Sequence, residues 1–113
     1  MNDPRSVAER HLDAVRRSDP VAMADDYHDD AVLVRGTERH QGRDHIAIYF
    51  ATVPERLAGG RVEVEVESVE GPSVSICWMI RGGPADGTRG HDLLTITGGA
   101  ISHQVVHLDD HDF

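Results

Sequence analysis

Histidine and carboxylate side chains supply most of the useful chemistry in this chain of 113 residues, which has eight histidines and 20 acidic residues. All eleven basic residues are arginine, so Schiff-base chemistry and a phosphate-loop lysine are excluded. The single cysteine, Cys77, excludes an intrachain disulfide and a multi-cysteine zinc site. Histidine titrates near neutral pH and can carry protons there. The composition therefore favours proton transfer over covalent amine catalysis.

Asp92 is the acidic residue with the clearest need for a chemical explanation, because it stands beside Leu93 and Leu94 in an apolar segment. An acid among apolar neighbours on a strand is costly without a purpose. Side chains alternate along a strand, so Leu94 and Ile96 share the face of Asp92, whereas His91 points away. In the next apolar segment the alternation separates two sets, which are His103, Val105 and His107 on one face and Ser102, Gln104 and Val106 on the other.

Metal binding is the other chemistry that so many histidines could support. His103 and His107 are four residues apart on a predicted strand, which separates their Cα atoms by roughly 13 Å at about 3.3 Å per residue. Two side chains at that separation are poorly placed to bind one ion. The acidic segment at 109–112 is typical of a solvated terminus. We therefore predict no metal site.

Helical signals fill the first part of the chain. The Asp-Pro pairs at 3–4 and 19–20 each place a capping residue before a proline at the first helical position. The first helix carries an apolar face that includes His11, and the second is expected over about residues 20–28. The apolar run at 31–34 then predicts a short buried strand.

A third helix is predicted after Gly42, with a kink or split at Pro54 before the glycines at 59–60 end it. Apolar and polar residues alternate from there onwards. The alternating segments predict four strands, at about 61–67, 74–80, 93–97 and 101–108. Helices followed by a run of antiparallel strands predict an α+β fold, with three N-terminal helices packed on one face of a curved antiparallel sheet.

Length and charge narrow the possible partners. A chain of 113 residues is expected to form one domain over residues 1–113. Its net charge of −9 argues against nucleic acid as a partner. We also expect no membrane partner and a cytoplasmic location, because we find neither a long apolar run nor a signal peptide.

Five local motifs occur in the order of these elements, and they are Arg10-His11-Leu12-Asp13-Ala14-Val15, Ser18-Asp19, Tyr27-His28-Asp29-Asp30-Ala31-Val32, Ile46 with Tyr49-Phe50 after Gly42, and His91-Asp92-Leu93-Leu94. Over nearly the whole chain, this series resembles the nuclear transport factor 2-like superfamily, in its ketosteroid isomerase and SnoaL-like polyketide cyclase branch. The resemblance implies a cone-shaped fold that encloses a pocket. It also implies a homodimer formed through the open sheet face around Cys77, Met79 and Leu93.

The same resemblance assigns roles to three residues. In ketosteroid isomerases a tyrosine and a protonated aspartic acid hold the enolate oxygen, while an aspartate moves the proton. Asp92 matches the oxyanion-holding acid, His11 falls at the tyrosine's place and Arg35 falls at the place of the base. Because an arginine stays protonated, Arg35 cannot be the base, and proton transfer passes to Asp92, His103 or His107.

The sequence is compatible with either protonation state of Asp92, neutral or charged. Burial in an apolar wall would raise its pKa and let the neutral acid donate a hydrogen bond to an oxyanion. A nearby Arg35 or protonated histidine would favour the charged form, and Asp92 would then act as a base or an orienting group.

The resemblance turns the face of His103 and His107 toward the pocket, where they join Asp92, His11 and Arg35 as catalytic candidates. The substrate-binding candidates are Tyr27, Phe50, Trp78, Leu94 and Val105. We expect a cofactor-independent isomerase or cyclase that transfers a proton next to the carbonyl of a small hydrophobic substrate. One alternative is epoxide hydrolase-like activation of water by an Asp/Arg pair. The other is a non-catalytic hydrophobic-ligand-binding or dimerisation domain, which the arginine at the base position and the low aromatic content of 4% favour.

Overall fold

The computed structural model describes residues 3–109, which contain three helices and six strands. The helices are α1 (Pro4–Arg16), α2 (Pro20–Asp25) and α3 (Arg43–Leu57). The strands are β1 (Tyr27–Arg35), β2 (Glu38–Gln41), β3 (Arg61–Glu70), β4 (Ser73–Arg81), β5 (Arg89–Thr97) and β6 (Ala100–Leu108). No helix in this part of the chain is long and apolar enough to cross a membrane.

The two Asp-Pro pairs begin helices as predicted. The Asp3 carboxylate accepts a hydrogen bond of 2.8 Å from the Ser6 N–H, and the Asp19 carboxylate accepts one of 3.1 Å from the Ala22 N–H. The second helix is shorter than expected, because it ends at Asp25 and the chain enters β1 at Tyr27. The predicted helix over 20–28 was therefore too long by three residues at its C-terminal end.

Pro54 does not split α3. The helix runs without a break from Arg43 to Leu57, so Pro54 lies in its last turn, where the missing N–H removes one hydrogen bond near an end. Ala58 adopts a left-handed conformation with φ of 45° and donates its N–H to the Pro54 carbonyl at 3.0 Å. The helix therefore ends just before the two glycines, as the sequence predicts.

The six strands form one sheet in the order β2-β1-β6-β5-β4-β3. All neighbouring pairs are antiparallel except β1 and β6, which are parallel. The helices cover the inner face of this curved sheet, which gives the α+β fold predicted from the sequence pattern and the cone implied by the resemblance. The edge strand β2 was not predicted, because its four residues are mostly exposed and lack an apolar pattern.

A β-bulge reverses the expected orientation of β6. The register between β5 and β6 shifts after the Thr95–His103 pair, so that Ile96 lies opposite Ile101. Beyond the bulge, Gln104 and Val106 face inward and are buried. The prediction that His103, Val105 and His107 face the pocket was therefore wrong, and these three residues lie on the outer face of the sheet.

Candidate active site

A cavity of about 90 Å³ lies between the helices and the inner face of the sheet. Most of its wall is apolar, and its polar side chains are those of His11, Tyr49, Trp78, Asp92 and Gln104. The remaining residues that line it are Val15, Met23, Phe50, Val53, Val62, Val64, Ile76 and Val106. An apolar cavity with a few convergent polar groups is the usual form of a small-molecule site.

Asp92 is held as a hydrogen-bond acceptor in the cavity wall. Its side chain is buried, with the residue 8% exposed, and each carboxylate oxygen accepts one N–H. Trp78 Nε1 donates to Oδ1 at 2.8 Å, and Gln104 Nε2 donates to Oδ2 at 2.7 Å. Burial raises the pKa of Asp92 to about 6, against the opposing effect of these two hydrogen bonds. Above that pH Asp92 is a carboxylate, which suits a base and not an acid that donates to an oxyanion.

Gly90 makes room for the tryptophan that holds Asp92. It lies opposite Trp78 on the neighbouring strand and two residues before Asp92 on the same face. A Cβ atom at Gly90 would overlap the indole ring and would lie 2.5 Å from the His107 carbonyl oxygen. The indole therefore lies across the backbone at Gly90, in the position from which its N–H donates to Asp92.

Gln104 is fixed in turn by Tyr27. The Tyr27 hydroxyl, fully buried behind the cavity wall, donates to Gln104 Oε1, so that the Gln104 amide presents its N–H to Asp92. Burial raises the pKa of Tyr27 well above its ordinary value, which keeps the hydroxyl protonated as a donor. Gln104 was predicted on the outer face of the sheet, whereas it is the direct cross-strand partner of the inward-facing Leu94.

His11 is oriented by a second buried carboxylate, which the sequence analysis missed. Its Nδ1 lies 3.4 Å from Asp26 Oδ2, and its Nε2 lies 3.5 Å from the Tyr27 hydroxyl. Arg10 Nε donates to the other oxygen of Asp26 at 2.7 Å. Burial would raise the pKa of Asp26, but the contacts with His11 and Arg10 hold it below its ordinary value. Asp26 is therefore charged beside a histidine that lines the cavity.

Arg35 lies apart from the cavity that Asp92 lines. Its side chain is buried with the residue 1% exposed, and its Cζ lies 6.0 Å from the centroid of the Tyr49 ring. The N–H donors on the two oxygens of Asp92 come from Trp78 and Gln104, and Arg35 is not among the described residues that line the cavity. The expected place of Arg35 in the cavity was therefore wrong, and Tyr49, whose ring it faces, lines the cavity.

The structure divides the predicted substrate-binding residues. Phe50 and Trp78 line the cavity, whereas Tyr27 and Leu94 are fully buried behind its wall. Val105 lies on the outer face of the sheet, so its expected contact with the substrate was wrong.

The remaining predicted catalytic histidines are also outside the cavity. His103 is partly exposed and His107 is exposed, and His107 lies opposite His91 on the outer face. His91 points away from the cavity as predicted and contacts Asp109 at 3.0 Å and Glu67 at 3.5 Å. Within the described part of the chain, no three His, Cys, Asp or Glu side chains are placed to hold one metal ion.

A family model described as the SnoaL-like domain matches residues 8–104 of the chain. No curated protein matches it. Three similar solved structures share its fold at low sequence identity. A protein provisionally named a polyketide cyclase, from Sinorhizobium meliloti, superposes with a TM-score of 0.78 at 20% identity, over 90% of this chain and 94% of that one.

The second structure is a protein provisionally named a ketosteroid isomerase, from Kribbella flavida, with a TM-score of 0.77 at 17% identity over 97% of this chain and 80% of that one. The third is provisionally named an isomerase of the SnoaL-like family, from Agrobacterium tumefaciens. It superposes with a TM-score of 0.76 at 17% identity, over 96% of this chain and 99% of that one. At these identities the likeness establishes the fold and not the reaction.

Proposed function

We propose that this chain, which belongs to the SnoaL-like domain family, catalyses cofactor-independent proton transfer at a carbon next to a carbonyl group. The observation that carries the proposal is the burial and hydrogen bonding of Asp92 in the cavity wall. A buried carboxylate, held by an N–H donor on each oxygen and with a pKa of about 6, stands in the wall of an apolar cavity. A base with a pKa near the working pH is what proton abstraction from carbon needs.

In the first step an oxygen of Asp92 takes a proton from the carbon beside the carbonyl. The electrons of the C–H bond form a carbon–carbon double bond, and the carbonyl electrons move to oxygen to give an enolate. In an isomerisation, the protonated Asp92 returns the proton to another carbon of the same system. In a cyclisation, the enolate carbon attacks a second carbonyl carbon of the substrate, and the oxygen of that carbonyl takes up the proton.

His11 is the residue that we assign to the developing oxyanion. It lines the same cavity as Asp92, and because its Nδ1 lies beside Asp26 at 3.4 Å, the N–H that it would offer to the oxyanion is that of Nε2. The ring is also in edge contact with Tyr27, at 5.4 Å between centroids, and packs against Phe50 at 5.8 Å. These contacts fix its orientation, and a preorganised donor is more effective than one that must rearrange.

The alternative of water activation by an Asp/Arg pair has less support. It requires a cationic side chain beside the carboxylate, and Arg35 packs against Tyr49 instead. The provisional names of the similar structures, polyketide cyclase and ketosteroid isomerase, agree with proton transfer next to a carbonyl.

Deuterium exchange tests the proposal with simple ketones in place of the natural substrate. Small ketones are incubated with the protein in deuterated buffer, and loss of the α-proton signal is followed by NMR. We expect Asp92→Asn to slow exchange by at least about 100-fold. Asp30→Asn, which changes an exposed carboxylate on β1, should leave the rate unchanged.

Two outcomes would contradict this assignment. Equal exchange rates for the wild type and Asp92→Asn would remove Asp92 as the base. Binding of the ketones to the wild type without any exchange would favour the non-catalytic ligand-binding alternative.

A further inference from the structure

The space in front of Asp92 is small. The cavity measures about 90 Å³, whereas an apolar cavity of about 150 Å³ takes up benzene and pockets for drug-sized ligands measure about 300–1,000 Å³. The space therefore holds a group no larger than about one six-membered ring. A fused skeleton of several rings does not fit inside it.

Half-buried valines from three elements surround the more exposed end of this space. We call them the valine rim, and they are Val15 of α1, Val53 of α3, and Val62 and Val64 of β3. Valine side chains are stiff because branching at Cβ restricts χ1. Arg16 Nη2 also donates to the Val64 carbonyl oxygen at 2.8 Å, which ties the end of α1 to β3 at the rim. The entrance is therefore bounded by side chains that adapt poorly to a larger ligand.

The polar groups that line the cavity include one carboxylate and no arginine within the described residues, and the chain has no lysine. A negatively charged ligand would meet Asp92 without a compensating cation, in a protein of net charge −9. Asp92 and Gln104 lie together at the buried side, whereas the rim is apolar. A matching ligand is uncharged, with its polar group at one end.

From these features we infer that the substrate is an uncharged carbonyl compound whose reacting part is a single small ring or a branched chain of that size, and that Val64 sets the upper size limit. This inference rests on the proposed function and adds to it the size and the charge of the substrate. The same space encloses no more than one ring of a four-ring steroid or of a fused polycyclic polyketide, and the valine rim disfavours the rest.

Trp78 provides a direct probe of occupancy, because it is the single tryptophan of the chain and forms part of the cavity wall. Its fluorescence is followed while the wild type is titrated with 2-cyclohexenone, a two-ring enone, a four-ring steroid enone and cyclohexenecarboxylate. We expect 2-cyclohexenone to bind at least about tenfold tighter than the steroid and the carboxylate not to bind. Tighter binding of the steroid, equal binding of the carboxylate, or no binding of 2-cyclohexenone would each overturn the inference.

Val64→Ala and Val66→Ala form a matched pair. Both shorten a half-buried valine on the same face of β3, but Val66 packs on the core and does not line the cavity. We expect Val64→Ala to improve binding of the two-ring enone about tenfold relative to 2-cyclohexenone, and Val66→Ala to leave that ratio unchanged. An unchanged ratio in Val64→Ala, or the same gain in both variants, would remove Val64 as the size limit.

The size inference and the proposed function fail separately. A preference for the single ring without Asp92-dependent deuterium exchange would remove the reaction and keep the size limit. A preference for the steroid with Asp92-dependent exchange would keep the reaction and remove the size limit.

Discussion

Replacing Asp92 by asparagine should remove a large pH-dependent term from the stability of the protein. The pKa of Asp92 is about 6 in the folded protein, where burial disfavours its charge, against an ordinary value of 3.8. Because the folded state holds this proton more tightly, the contribution of Asp92 to stability is fully present below pH 3.8 and is lost as the pH rises through 6. The full difference corresponds to about 3 kcal/mol, of which about 1.4 kcal/mol falls between about pH 5 and pH 8.

Urea unfolding followed by circular dichroism measures this term. The free energy of unfolding is determined for the wild type and Asp92→Asn at several pH values between about 5 and 8. The other titrating groups are present in both proteins and cancel in the difference, and so does any constant loss from the altered hydrogen bonds. We expect the stability of Asp92→Asn relative to the wild type to rise with pH by about 1.4 kcal/mol over that range. Asp30→Asn, the exposed control, should show no such trend.

A flat difference for Asp92→Asn would refute the reasoning. It would mean that Asp92 does not titrate between about pH 5 and pH 8, and that the cavity does not hold a base with a pKa near neutrality.

Three further changes test the surroundings of the site and the outer face of the sheet. Gly90→Ala should displace the Trp78 indole, because the new Cβ has no room beside it. We expect a loss of about 1–3 kcal/mol in the free energy of unfolding by urea and a change in Trp78 fluorescence. A variant with unchanged emission would contradict this. Tyr27→Phe should lower the free energy of unfolding by about 1–3 kcal/mol and raise the pKa of Asp92 further, because it leaves the buried Gln104 carbonyl oxygen without its donor. A titration midpoint of Asp92 at or below that of the wild type would speak against this. Light scattering should give a dimeric mass for the wild type and a monomeric mass for Leu93→Asp, which places a charge on the outer face where Leu93 is 40% exposed; a monomeric wild type would count against the expected homodimer.

The architecture and the place of Asp92 in the cavity wall could be predicted because both depend on local signals in the sequence. The Asp-Pro caps, the glycines after α3 and the alternating strands each depend on residues close together in the chain. Asp92 stands out for the same reason, because a single acid interrupts an apolar strand. The short edge strand β2 has no such signal, since its residues are mostly exposed and show no alternation of polar and apolar side chains.

The resemblance turned His103 and His107 toward the cavity, whereas the structure turns them outward because alternation fails at a bulge in β6. Ile101 and Gln104 are three residues apart and would lie on opposite faces of a regular strand, yet both are buried in the interior. One extra residue between them turns His103 and His107 outward and brings Gln104 to Asp92. No residue type in this segment marks the bulge.

Asp26 and Arg35 show a different limit, because their roles depend on contacts between distant parts of the chain. Asp26 follows α2 in a run of polar and charged residues, and only the packing of α1 brings His11 and Arg10 to its two oxygens. Arg35 is buried on β1, but the ring of Tyr49 from α3 lies against it.

The pH dependence of α-proton exchange in 2-cyclohexenone tests the central claim, that Asp92 is the base, most directly. The exchange rate is measured by NMR between about pH 4.5 and pH 8 for the wild type and for Asp92→Asn. We predict a wild-type rate that rises with pH, with a midpoint near 6 set by the pKa of Asp92, and a rate in Asp92→Asn that stays at the level of buffer alone. Exchange that persists in Asp92→Asn, with the same dependence on pH, would contradict the claim.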